Sequence, residues 1–324
     1  MDYRTVGRTG VKVSNLCFGT MSFGDIADET ESGKLFARAR DAGINFFDCA
    51  NVYAGGRSEE ILGKLIKDSR DELVITSKVF GKMGDDVNAG GLSRRHITRA
   101  IEASLKRLGT DRLDFYFVHK FDVDTPIEET LRALDDLVRR GLILYPAVSN
   151  WAAWQIAKAL GLSARESLAR FELMQPMYNL TKRQAEVELL PLAQAENLGV
   201  IPYSPLGGGL LTGKYGRDKS TGEGRLKDNQ MYAKRYGEEA YYDIAADFTA
   251  YAEDKGVHPV TLAVAWVGSH RSVTAPIIGA RNVEQLEPAL AAADFEMTPE
   301  MCDEIAALSP EPPLATDRSE EKEG

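Results

Sequence analysis

Asn45-Phe46-Phe47-Asp48-Cys49-Ala50-Asn51-Val52-Tyr53 reads as a short buried strand that ends on a carboxylate and passes into a loop carrying a tyrosine. A strand that is apolar on both faces needs cover on both sides, the condition of a parallel sheet wrapped by helices. Working outward, the same kind of run recurs at Leu16–Phe18, Leu73–Lys78, Leu113–Val118, Ile143–Val148, Glu172–Gln175, Val200–Tyr203 and Thr274–Ile278. Helical periodicity fills the gaps, as at Glu31–Ala42, Ser93–Leu108, Pro126–Arg139, Ala152–Gly161 and Val283–Ala293. Ser93 can cap its helix, and Asp124-Thr125-Pro126 reads as a cap followed by proline at the first helical position. Eight strand–helix alternations predict an α/β fold of the (β/α)8 TIM-barrel type. The competing doubly wound sheet would show G-x-G-x-x-G after its first strand, and Gly19-Thr20-Met21-Ser22-Phe23-Gly24 does not match.

Three segments fall outside the repeat. Arg4–Val6 and Val11–Val13 predict an N-terminal β-hairpin closing the barrel bottom. Residues 206–238 predict a long loop after strand 7, of the length that usually covers a site. From Lys214 to Arg235 this loop holds seven Lys or Arg against three Asp or Glu, in a chain of net charge −10. Residues 1–308 are expected to form one domain, and residues 309–324, rich in Pro and Glu, a disordered tail.

Composition narrows the function classes. Of 324 residues, 44% are hydrophobic and 27% charged, a soluble globular profile. No apolar run of about 18 residues exists to span a membrane, and Met1-Asp2-Tyr3-Arg4 lacks a signal-peptide core. Three scattered cysteines, Cys17, Cys49 and Cys302, fit a reduced cytoplasmic setting. The acidic balance argues against nucleic acid as a partner. His96, His258 and His270 have no metal-ligand spacing, so no metal site is expected. Oligomeric state is not legible, and a monomer is the default.

Barrel active sites gather at the C-terminal ends of the strands. There the sequence places Asp48, Lys78 and His119, with Tyr53 in the loop after Asp48. Carbonyl reduction needs a proton at oxygen, and a phenol is a weak acid with a pKa of about 10. An ammonium ~4 Å away at an effective dielectric of ~20 gains on the order of 4 kcal/mol, an expected upper bound of roughly three pKa units of acidification. Asp48 would keep Lys78 charged, and His119 would hydrogen-bond the carbonyl oxygen. Taken singly, Tyr53 and Asp48 read as surface or turn residues; the four together, each at a strand end, read as a site. A Schiff-base lyase using Lys78 is a weaker alternative, since Asp48 opposes a neutral amine. Cys49 reads as a small packed residue.

The segment 45–53, Ser77-Lys78 and Val118-His119 resemble the aldo-keto reductase segments that hold the catalytic Asp, Tyr, Lys and His. The resemblance continues through Val148-Ser149-Asn150-Trp151, Gln175, Tyr203–Leu206 with Gly207–Gly213, and Ile278–Arg281, covering Tyr3 to about Phe295. It implies reduction of an aldehyde or ketone with NADPH, NADH being the alternative cofactor, and a small-molecule carbonyl as partner. It places Gly19, Thr20 and Asp48 near the nicotinamide and its ribose, Ser149, Asn150 and Gln175 on the carboxamide, and Tyr203 stacked on the ring. Backbone amides of Leu206–Gly213, Gly209 and Leu211 among them, would wrap the pyrophosphate, with Lys214 nearby; Arg281 and Gln285 would hold the adenosine end, and Ser204, Pro205 and Gly279 would also belong to the cofactor site. Three departures stand out: Cys49 replaces the usual Thr, Ala289 replaces a frequent Asn, and Gly279 replaces a frequent Lys. The family also resembles potassium-channel β subunits, so a cofactor-binding regulatory subunit is a second reading. Substrate choice would fall to Met21, Phe23, Phe80, Phe121, Trp151 and residues 217–238.

Overall fold

The computed structural model describes residues 1–216 and 230–318. Strands β1 (Tyr3–Thr5) and β2 (Lys12–Ser14) form the antiparallel hairpin, each displaced by one residue from the sequence reading. The displacement has a cause. Val6 leaves the strand to bury itself fully, and its N–H reaches Val11 O at 2.9 Å while the Thr9 hydroxyl closes the turn on Val6 O at 2.7 Å. Val6 and Val13 then join Phe46, Phe115, Phe117 and Leu173 in the core inside the ring of strands, so the hairpin plugs one end.

Eight parallel strands follow: β3 (Cys17–Gly19), β4 (Phe46–Asp48), β5 (Val74–Val79), β6 (Leu113–Val118), β7 (Ile143–Ser149), β8 (Leu173–Gln175), β9 (Gly199–Val200) and β10 (Ile277–Ile278). They pair in chain order from β3 to β9, with β10 on the free edge of β3. Ile277 N donates to Pro202 O at 2.9 Å and Thr274 N to Val200 O at 2.8 Å, which joins the two outer edges and closes the barrel. β9 and β10 are shorter than the sequence suggested because Pro202 and Pro276 carry no N–H for a ladder. The Pro202 carbonyl still accepts across the seam.

Helices pack outside the ring, among them Glu29–Asp41, Arg57–Ile66, Arg94–Leu108, Ile127–Arg139, Pro259–Ser269 and Val283–Leu290. The helix expected over Ala152–Gly161 runs instead over Ala153–Glu166, ending where Ser167 turns left-handed at φ 54. Gly161 is accommodated inside it, at a propensity cost of about 1 kcal/mol relative to Ala. The region read as one long loop contains a 3-10 turn, Gly207–Thr212, and a helix, Gln230–Tyr236, with residues 217–229 outside the described residues. Residues 309–318 run without helix or strand, and Arg183 donates to Ser309 O at 3.2 Å. Residues 319–324 lie outside the described residues. Among the described residues no helix is long and apolar enough to cross a membrane, and no His, Cys, Asp and Glu cluster fit for a metal occurs.

Candidate active site

Parallel pairing brings the polar strand ends to one rim. Gly19 pairs with Asp48, Asp48 with Thr76, and Lys78 with Phe117, and β6 passes directly into His119. Tyr53 enters from a tight turn in which Ala54, Gly55 and Gly56 are all left-handed, at φ 48, 64 and 100. Glycine adopts that conformation without strain, so two of the three residues suit the turn.

Lys78 is fully buried, and its three N–H groups meet three acceptors: Asp48 Oδ2 at 2.6 Å, Cys49 O at 2.7 Å and Tyr53 Oη at 3.3 Å. The other Asp48 oxygen accepts from Thr76 Oγ1 at 2.8 Å and Gln175 Nε2 at 2.9 Å. A buried ion pair is tolerable only when its remaining valences are satisfied in this way. Because Lys78 donates to the Tyr53 oxygen, the phenolic hydrogen is left for another acceptor, and Tyr53 lines the cavity.

Burial and charge act in opposite directions on the Tyr53 phenol. Burial pushes the phenol up to about 12; the pull of Lys78 acts downward, but Asp48 works against it. Burial also opposes the charge on Lys78, yet Asp48 and Tyr53 outweigh it and hold the ammonium above its ordinary range. A lysine held so firmly charged is a poor Schiff-base nucleophile. Cys49 is pushed up to about 12, by burial first and then by Glu59, and so carries no thiolate at neutral pH.

His119 sits edge-on to Tyr53, ring centroids 6.2 Å apart. Burial first, then the charge on Lys78, lowers its pKa to about 3, so it stays neutral and can donate one N–H. Since the folded value lies below the unfolded one of ~6.5, the unfolded chain binds the extra proton between them, and stability falls as pH drops through that window by up to about 1.4 kcal/mol per unit. We expect His119→Asn to flatten that slope between pH 6 and 4. Urea unfolding at several pH values measures it, and an unchanged slope would refute the assignment.

The rim opens into a cavity of about 1010 Å³. Of the residues singled out in the sequence, Gly19, Asp48, Tyr53 and His119 line it on one side. Asn150, Gln175, Tyr203, Ser204, Pro205 and Leu206 continue the wall. Gly209, Lys214, Gly279, Arg281 and Gln285 line the far end. Asn150 is fixed between neighbours, accepting from Tyr203 Oη at 2.8 Å and donating to His119 O at 2.9 Å.

Five residues are not on the lining. Lys78 lies beneath the floor. Thr20 is fully buried, its hydroxyl at 3.1 Å from Asp48 O and 3.0 Å from Ser58 Oγ. The Ser149 hydroxyl donates to Gln175 O at 2.9 Å. Leu211 is in the helix-side core, and Gly213 ends the turn at φ 80 beside Pro259. Among the side chains expected to set substrate choice, Met21 and Phe80 reach the cavity. Phe23 is fully buried and Phe121 packs edge-on against the buried Trp151 at 4.9 Å.

Sequence reasoning missed Lys120, which lines the cavity over the Phe80 ring at 5.8 Å; Arg235, over the Tyr232 ring at 5.6 Å, lines it too. Arg235 belongs to the basic excess noted in the sequence, whose Arg217, Lys219, Arg225 and Lys227 lie outside the described residues.

A family model described as Aldo/keto reductase family matches residues 15–310. The chain is 37% identical over 326 residues to a probable voltage-gated potassium channel subunit beta of Oryza sativa subsp. japonica, covering 98% of this chain and 99% of that one. It is 35% identical to an uncharacterized oxidoreductase, YrpG, of Bacillus subtilis, covering 96% and 97%. It is 32% identical to a versiconal hemiacetal acetate reductase of Aspergillus parasiticus, covering 93% and 94%.

Proposed function

The chain belongs to the aldo/keto reductase family, and from that membership we propose that it is an NADPH-dependent oxidoreductase that reduces an aldehyde or ketone to an alcohol, with Tyr53 as proton donor. The observation that carries the reading is Lys78 Nζ, held between Asp48 Oδ2 at 2.6 Å and Tyr53 Oη at 3.3 Å under the cavity floor.

The cavity suits a dinucleotide. Gly207, Gly208, Gly209 and Gly213 all have positive φ, and a β-carbon at Gly208 would stand 2.9 Å from the Tyr232 and Tyr236 rings, so only glycine keeps this turn open. Lys214, Arg235 and Arg281 line the same cavity and favour an anion, in a chain of net charge −10. When bound, the nicotinamide supplies the hydride. The chain's own residues do the rest. Neutral His119 donates to the carbonyl oxygen, and Tyr53 gives its proton as that oxygen gains charge. Burial raises the phenol's pKa, and the alkoxide that hydride transfer creates, a far stronger base than a tyrosinate, still draws the proton. Lys78 stabilises the tyrosinate left behind.

Arg281 supports NADPH over NADH, since a guanidinium fork suits a 2′-phosphate. We expect Arg281→Ala to weaken NADPH binding about 10-fold, roughly 1.4 kcal/mol, and to leave NADH unchanged in a fluorescence titration. Equal loss for both would count against the 2′-phosphate contact. A panel of aldehydes and ketones with NADPH tests the activity itself. Potassium-channel β subunits among the relatives, that of rice at 37% identity, favour a second reading as a cofactor-binding regulatory subunit. Turnover of no carbonyl despite tight NADPH binding would select it.

A further inference from the structure

We propose that Glu59, clamped by Ser77 and Arg107, is a positioning residue that holds Tyr53 at hydrogen-bond distance from Lys78; this rests on the reading of Tyr53 as proton donor. Glu59 lies in the first turn of the helix Arg57–Ile66, directly after the turn that presents Tyr53, and is fully buried. One of its oxygens accepts from Ser77 Oγ at 2.5 Å and the other from Arg107 Nε at 2.6 Å. A buried carboxylate costs several kcal/mol unless it is paired, and an apolar residue would pack there without that cost. What the charge provides is a joint among three elements: the helix after Tyr53, strand β5, and the helix Arg94–Leu108.

Two geometric facts tie this joint to the chemistry. Successive strand residues point to opposite faces. Ser77 is therefore gripped from the helix side, while Lys78, the next residue, projects inward to Asp48 and Tyr53. On the other side, the Arg107 stem closes over the Tyr53 turn: a β-carbon at Gly56 would stand 3.0 Å from Arg107 Cδ. Uncharged hydrogen bonds account for the other ties of the turn. The Tyr53 N–H donates only locally, to Ala50 O at 3.1 Å. Before it, Asn51 N reaches Lys78 O at 3.3 Å, and after it Ser58 Oγ donates to Thr20 O at 2.7 Å. Asn51 ties the turn to the Lys78 backbone, and Glu59 adds the charged anchor of the set, through Ser77, the residue before Lys78.

The test uses Ser77→Ala, which cuts only the link to β5, together with Glu59→Gln and the pair Arg107→Lys and Arg107→Met. We expect kcat to fall about 10-fold in Ser77→Ala and up to about 100-fold in Glu59→Gln, the scale of a misplacement near 1 Å. KM and NADPH affinity should hold, and Arg107→Lys should recover part of what Arg107→Met loses. A second readout needs no turnover: the 13Cζ resonance of Tyr53, assigned by its absence in Tyr53→Phe, should move in both Ser77→Ala and Glu59→Gln. If that resonance stays at the wild-type position in Ser77→Ala, or Tm falls while kcat and resonance do not change, the positioning role is overturned. If Glu59→Gln fails to fold, Ser77→Ala decides. If wild type reduces no carbonyl but the resonance moves, the proposed function fails and the positioning role stands.

Discussion

Tyr53→Phe is expected to lower kcat for carbonyl reduction by about 10²- to 10⁴-fold, the range for loss of a positioned general acid. The substitution keeps the ring and its place against His119 and removes one oxygen. That oxygen is the third acceptor of Lys78. Its loss leaves one buried ammonium N–H without its acceptor, an expected cost to stability of about 1–3 kcal/mol. The cavity wall from Asn150 to Gln285 is untouched, so the proposed NADPH binding is expected to survive unchanged. The contrast matters more than either result alone. Lost turnover with retained NADPH affinity places the oxygen in the chemical step, as an interaction made only in the transition state. A Tyr53→Phe enzyme that reduces aldehydes at the wild-type rate would remove Tyr53 from the mechanism.

The barrel and the rim of polar strand ends were legible because of a contrast in the sequence. An apolar run that stops on Asp48, on Lys78 or before His119 is conspicuous, since a buried strand has no other use for a charge. Direction of side chains was not legible. Phe23, Phe121 and Trp151 are as aromatic as Phe80, but only Phe80 among these four reaches the cavity, because core and pocket draw on the same residue types. Nor was it legible that the hydroxyls of Thr20 and Ser149 bond to backbone oxygens of neighbouring strands, since those partners are distant in sequence. The pull of Lys78 on Tyr53 was legible, but the opposing burial was not, because a pairwise Coulomb argument holds no burial term. Glu59 was invisible for a different reason: its partner Arg107 is 48 residues away, and nothing local announces the pairing.

Asp48→Asn should be the most damaging single change to stability, by about 3–5 kcal/mol at pH 7, because it leaves Lys78 buried without its counter-charge. Asparagine does not substitute for the carboxylate. Thr76, Gln175 and Lys78 all donate to Asp48, and an amide offers one acceptor oxygen and turns an NH₂ group on at least one of those donors. The pH dependence gives the sharper test. In the wild type the folded pKa of Lys78 is raised, so its contribution is complete below the unfolded value of ~10.4 and is lost only as pH rises through the folded value. In Asp48→Asn the attraction is gone and burial, which opposes the charge, prevails. The folded pKa then falls below ~10.4, the unfolded chain binds more protons, and stability rises with pH in that interval. The gap between wild type and variant should therefore narrow from pH 7 toward pH 10 in denaturant unfolding. A gap that stays constant would mean that Asp48 does not set the charge on Lys78, and the account of how the phenol is served would fall with it.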